Sequence, residues 1–201
     1  MRQARLKFLL AWGAIATALA APGALAQFNP FTILGEVVST AMDVRTMAEV
    51  RNDIAISAGV NQTLLDDERA QWKGVTVLVF AQHVVLAGAV RTAEARKIAE
   101  DAARSDERVR SLRNDLIVIK KPGEEGSFVR DKATDVKINA KLTAAEGVSS
   151  VNMRWKTVNG EVVLMGVARS DEEAQLAVAK IREIEEVKGV KSRLRIVPKK
   201  E

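Results

Sequence analysis

The chain has 201 residues, 47% hydrophobic and 28% charged, which suits one ordinary domain or two small ones. Cysteine is absent, which excludes thiol catalysis and thiolate metal sites, and His83 is the one histidine. The formal net charge of +5 is uneven: residues 27–119 hold 11 basic and 13 acidic side chains, whereas residues 120–201 hold 17 and 13. An anionic partner is therefore expected on the second half.

The N-terminus comes first. Arg2, Arg5 and Lys7 precede an apolar run from Phe8 to Ala21, which Pro22 and Gly23 break. Ala24-Leu25-Ala26 then supplies a small-x-small cleavage pattern. The run is 14 residues long, and a spanning helix needs about 20. Residues 1–26 are therefore read as a signal peptide cleaved after Ala26, and the mature chain is expected in the periplasm. Gln27 stands where a bacterial lipoprotein would carry its lipid-modified cysteine, so a free protein is expected. Residues 27–50 form an N-terminal segment, with a helix predicted over Thr32–Val50 from Ile33, Leu34, Val37, Val38 and Ala41.

The rest of the chain is organised by an internal repeat. Val84-Val85-Leu86-Ala87-Gly88-Ala89-Val90-Arg91-Thr92 recurs 78 residues later as Val162-Val163-Leu164-Met165-Gly166-Val167-Ala168-Arg169-Ser170. The same offset pairs Val109 with Val187 and Leu116 with Leu194. Each copy starts with an amphipathic helix, about Asp53–Leu65 and Lys132–Thr143. Two strands follow, Gly74–Phe80 with 83–89, and Val151–Val158 with 161–167. Asn159-Gly160 is a strong hairpin signal. Ala81-Gln82 at the matching point is not, so that turn is expected to be built differently. Gly88 and Gly166 mark a bulge or a close backbone approach. Thr92 and Ser170 read as helix N-caps, and Ser170-Asp171-Glu172-Glu173 as a capping box. The last strand of copy two alternates Val190, Ser192, Leu194 and Ile196 with Lys191, Arg193 and Arg195, which predicts a basic outer face.

The fold class is therefore α+β. Two tandem α-β-β-α-β modules, 51–119 and 129–198, are joined by a linker over 120–128, with an additional N-terminal helix. Each module is a three-stranded mixed sheet packed against two helices.

No catalytic apparatus emerges. His83 sits at a turn with no motif around it and reads as an exposed turn residue. Asp66-Asp67-Glu68 lacks the spacing of a calcium loop and reads as a solvated loop. No phosphate-binding loop is present, and no cofactor or metal is expected. Lys132, Lys137, Lys141, Lys188, Lys191, Arg193 and Arg195, with Lys199 and Lys200 nearby, are the candidate binding set. Each basic group near an anionic leaflet contributes roughly 1 kcal/mol. The alternative is an ordinary solvated face, because acidic residues are frequent here too. Trp72 and Trp155 fit interfacial anchoring, but Trp155 lies in an apolar-patterned strand and reads better as core.

These residues resemble the BON domain, a module of bacterial envelope proteins. The carriers are a helix-opening Asp135 with Ile138 and Leu142, then Val158-Asn159-Gly160-Glu161-Val162-Val163-Leu164-Met165-Gly166, and Lys188-Gly189-Val190 leading to Leu194-Arg195-Ile196. Copy one keeps Val85-Leu86-Ala87-Gly88 and Asn114-Asp115-Leu116-Ile117-Val118, and Arg45-Thr46 before Asn52-Asp53 resembles the lead-in of dual-BON proteins. The resemblance implies a non-enzymatic role: binding of anionic phospholipid and support of outer-membrane integrity under osmotic or envelope stress. Two departures stand out. The anchor cysteine is missing, and Ala133 occupies the helix start where some relatives place an aromatic, with Phe128 upstream. A competing expectation is a chaperone or adaptor that binds envelope proteins through apolar faces such as Ile117 and Ile119. Nucleic acid fits the charge but not the compartment.

Overall fold

The computed structural model describes residues 43–66 and 74–198. The expected signal peptide, residues 27–42, Asp67, Glu68, Trp72, Lys199 and Lys200 lie outside the described residues.

The first helix, α1, is Met47–Asp66. Thr46 and Glu49 start it with a reciprocal cap. Thr46 Oγ1 accepts from Glu49 N at 3.2 Å, and Glu49 Oε2 accepts from Thr46 N at 3.0 Å. This corrects the sequence reading in two ways: the helix opens six residues before Asp53, and the helix expected over Thr32–Val50 does not run through non-helical residues 43–46. Asp53, Ile56, Val60 and Leu64 form its buried stripe.

Strands β1 (Val75–Phe80) and β2 (His83–Val90) form an antiparallel hairpin. Helix α2 (Ala93–Arg104) follows, with Thr92 Oγ1 accepting from Ala95 N. The closing strand runs parallel to β2 and is broken at Asp115–Leu116 into β3 (Ser111–Asn114) and β4 (Ile117–Val118).

The second module repeats this order. Ser127 caps α3 (Phe128–Ala144), which therefore begins four residues before the expected Lys132 and absorbs Phe128 from the expected linker. A single 3₁₀ turn at Ser150–Asn152 replaces the start of the predicted strand. Strands β5 (Met153–Val158) and β6 (Glu161–Ala168) form the hairpin. Ser170 caps α4 (Asp171–Arg182), and β7 (Gly189–Ile196) closes the sheet parallel to β6. Glu173, the acidic residue of the expected box, donates its N–H to Ser170 Oγ, and its carboxylate accepts from Arg169 N, one residue before the cap, and from Ser149 N, both at 2.7 Å.

Both hairpins use the same two-residue turn, with Phe80 paired to His83 and Val158 to Glu161. Ala81 and Gln82 have φ of 51° and 65°, and Asn159 and Gly160 have 50° and 79°. The expectation that copy one turns differently is therefore wrong. A buried aspartate on the first helix of each module explains why. Asp53 accepts from Ala81 N at 2.8 Å and Gln82 N at 2.6 Å, and Asp131 accepts from Asn159 N at 2.9 Å and Gly160 N at 3.2 Å. These charge-assisted bonds offset the left-handed cost, about 1–2 kcal/mol per residue, that Ala81 and Gln82 incur. Asp135, read from the sequence as opening the helix, lies a turn further in and accepts from Thr157 N, while Asp131 is the acidic residue of the first turn.

Gly88 and Gly166 meet the close-approach expectation. Both have φ of 126°, and an added Cβ would sit 1.8 Å from Gly74 O or 2.1 Å from Asn152 O.

Each helix pair packs on one face of its own sheet. Ile56, Val60, Val77, Leu86 and Ala103 centre the first core, and Ile138, Leu142, Trp155, Leu164 and Ile181 the second. Trp155 is thus core, as expected. A third core joins the opposite sheet faces, Leu78, Phe80, Val85 and Ala87 against Met165 and Val167. The molecule is layered helix, sheet, sheet, helix, and its two helical layers lie on opposite outer sides. Burial of each large apolar side chain in that third core contributes about 1.5–3 kcal/mol, which explains why the modules dock rather than hang on a linker.

Candidate functional site

The outer side of α3 is set by helical geometry. Asp131, Thr134, Ile138 and Leu142 face the core. At 100° per residue the opposite side carries Val129, Ala133, Val136 and Ala140, all exposed. Val129 is 76% exposed and Val136 62%, far more than packing apolar residues show. Phe128, 71% exposed, adds a ring at the start of the helix, with Lys156 Nζ 5.7 Å from its centroid. Lys132 and Lys137 flank this apolar ridge on either side. The result is a solvent-facing amphipathic strip on a rigid element.

The seven candidate basic residues do not gather on this strip. Lys137 pairs with Glu186, and Lys141 pairs with Glu183 at 2.7 Å. Lys141 and Lys180 together hold the Glu183 carboxyl down at about 2. Lys188 donates to Asn159 Oδ1 at 2.8 Å. The β7 set faces the other way from expectation. Val190 and Leu194 pack on the second core, so Lys191, Arg193 and Arg195 lie on the face towards the first module, with Lys191 still 54% exposed. Lys191 and Arg193 converge on Asp115, at 3.0 and 2.8 Å. Hydrogen bonds from Arg193, against the opposing effect of burial and with help from Lys191, hold the Asp115 carboxyl below its ordinary value. Among the described residues, Lys132 and Arg195 alone of the seven have no ion pair or hydrogen-bond partner.

A second polar cluster locks the modules together. Val44 N donates to Asn152 Oδ1 at 3.1 Å. Arg45 bridges Asp43 and Asp53, at 2.6 and 2.9 Å, and lies 4.4 Å from the Phe80 ring centroid. Arg154 approaches the same ring at 5.5 Å and donates to the carbonyls of Val151 and Met153. Burial, reinforced by nearby Arg45, pushes the Arg154 guanidinium down to about 10. This cluster is structural in character: every group is satisfied and covered.

No group of three or more His, Asp or Glu side chains is placed to hold a metal among the described residues. His83 is half-buried, not exposed as expected, with Nδ1 2.6 Å from Ser111 Oγ.

The BON domain model matches twice, over residues 52–120 and 130–198, the two structural repeats. The chain belongs to the BON-domain family. Among BON-containing and other relatives, it is 30% identical over 145 residues to the "uncharacterized protein in gshII 5′region" of Anaplasma centrale, covering 72% of this chain and 95% of that one. It is 29% identical over 187 residues to the osmotically-inducible protein Y of Escherichia coli strain K12, covering 90% and 91%. A solved structure of CdsD, a structural protein of the type III secretion system of Chlamydia trachomatis, aligns at 18% identity over 73% of this chain and 64% of that one. The TM-score of that alignment is 0.31. The sequence reading of a dual-BON chain stands; what it missed was the apolar ridge. Val129 and Val136, seven apart with Ala133 and Ala140 between and after, were legible as a second apolar stripe once both sides of the helix were considered.

Proposed function

We propose that this BON protein is a non-enzymatic periplasmic protein that supports the cell envelope under osmotic stress by peripheral contact with anionic phospholipid. The observation that carries this reading is the outward strip of α3: Val129 and Val136 exposed between Lys132 and Lys137, with Phe128 exposed at the start of the helix. Apolar side chains entering the headgroup boundary, with lysines at its edge, give weak, reversible, salt-sensitive binding. No helix among the described residues is long and apolar enough to cross a membrane. The relative named for osmotic induction supplies the stress context. Co-sedimentation tests the reading: binding to phosphatidylglycerol vesicles, little to phosphatidylcholine, and weakening as salt rises are expected. Equal recovery in the supernatant with both lipids at low salt would refute it.

A second reading, an adaptor or chaperone for envelope proteins, has its own observation. Met47, Ile54 and Leu65 form an exposed apolar stripe on α1, 63%, 63% and 73% accessible, on the opposite side of the molecule. Among the described residues of α1 its one cationic neighbour is Arg51, so it suits an uncharged protein surface better than an anionic leaflet.

A further inference from the structure

The docked sheets create a seam along β3 and β7 that neither module owns. On the first sheet, His83 shares its face with Val85 and Ala87, which meet the second module, and Ser111 lies beside His83 in register. On the second sheet, Arg195 is paired with Val167, another residue of the sheet-to-sheet core. Arg110 enters from the start of β3, its backbone N–H donating to Gln82 O at 2.9 Å. Arg195 therefore lies on the face of β7 that meets the first module, and it, Arg110 and His83 are near enough to act on one another's charge.

Their charges are not balanced. Arg110 pairs with Glu49 at 2.8 Å. The other Glu49 oxygen takes Thr46, and Asp53 is taken by Arg45, Ala81 and Gln82. Both nearby carboxylates are therefore occupied. Arg195 is half-buried with no ion pair or hydrogen bond among the described residues. Burial and the neighbouring Arg110 both disfavour its charged form. His83 is pressed towards neutrality by burial first, then by Arg195 and Arg110, with Asp53 and Glu49 opposing. A half-buried guanidinium beside another cation is costly unless an anion joins it.

We infer that Arg195, Arg110 and His83 form a binding site for a phosphate-type oxyanion at the seam between the modules. Arg195 supplies a free guanidinium fork, which matches phosphate oxygens in a bidentate manner. Ser111 adds a hydroxyl beside the ring, and protonation makes both ring nitrogens of His83 donors. The site lies away from the α3 ridge and does not depend on it. The same chemistry serves a free phosphate ester or a phospholipid headgroup.

The single histidine provides the readout. The ring-proton shift of His83 is followed against pH by NMR on the full chain, with inorganic phosphate or with chloride at matched ionic strength. Phosphate is expected to raise the midpoint by at least about one pH unit, because an anion held within hydrogen-bonding reach of the ring favours its protonated form. Arg195→Gln should abolish that rise, and Arg195→Lys should retain part of it. A rise with inorganic phosphate or glycerophosphate assigns a small free anion. A rise with phosphatidylglycerol bicelles alone assigns a headgroup. An unchanged midpoint under all three conditions, or an undiminished rise in Arg195→Gln, overturns the site.

Discussion

The two hairpins carry one turn on different residues. In the second module Asn159-Gly160 favours left-handed backbone by itself. In the first, Ala81-Gln82 does not, yet its dihedrals are nearly the same. The difference is made up by tertiary anchoring: Asp53 binds both turn amides and Arg45, whereas Asp131 binds the two amides. Both turns rest on a buried carboxylate; the second adds the preference of Asn-Gly, and the first adds Arg45 behind its aspartate. The outward faces differ more deeply. The first module presents Met47, Ile54 and Leu65, and the second presents Val129 and Val136 between lysines.

The largest expected effect would fall equally on both modules. Gly88→Ala and Gly166→Ala each force a Cβ into a carbonyl at positive φ, at a cost of roughly 4 kcal/mol apiece. Urea unfolding midpoints should fall alike, and a tolerated substitution in either module would break the equivalence.

The aspartates should differ. Asp53→Ala strips a two-amide anchor from a turn with no preference for itself and leaves Arg45 short of a partner. That should cost about 3–5 kcal/mol. Asp131→Ala, under a turn that favours its own geometry, should cost about 1–3 kcal/mol. Equal costs by urea titration would mean that the residues of the turn do not matter.

Asp115 separates the modules from their junction. Its folded pKa lies below the ordinary 3.8, so its stabilisation is complete above that value and is lost as pH falls through the folded one. Asp115→Asn should cost about 1–2 kcal/mol at neutral pH. It should also flatten the loss of stability on acidification below pH 3.8. Thermal unfolding across that range checks the sign. The smallest effect belongs to the exposed pairs Lys137–Glu186 and Lys141–Glu183, whose removal should leave the urea unfolding midpoint unchanged.

The repeat, the helix caps at Thr92 and Ser170 and the close approach at Gly88 and Gly166 were legible because each is a local pattern with a local cause. The anchors Asp53 and Asp131 sit 78 residues apart, in register with the repeat, but their partners are 28 or 29 residues away, so only the folded chain reveals their role. The basic strand was misread for a related reason. Alternation along β7 separates two faces without saying which meets solvent, and here the cationic face meets Asp115 of the other module. Charge counts in one half of the chain could not anticipate partners in the other.

The central claim is that the α3 ridge, and not its counterpart on α1, contacts anionic lipid. The direct test places the same charges on each. Val129→Glu/Val136→Glu and Met47→Glu/Ile54→Glu are compared with the parent chain in co-sedimentation with phosphatidylglycerol vesicles at low salt. All four positions are exposed, so folding should be retained, as circular dichroism would verify. The account predicts that the α3 pair abolishes binding and the α1 pair leaves it within about twofold, a difference under roughly 0.5 kcal/mol. Retained binding in the α3 pair, or loss in the α1 pair, would contradict it.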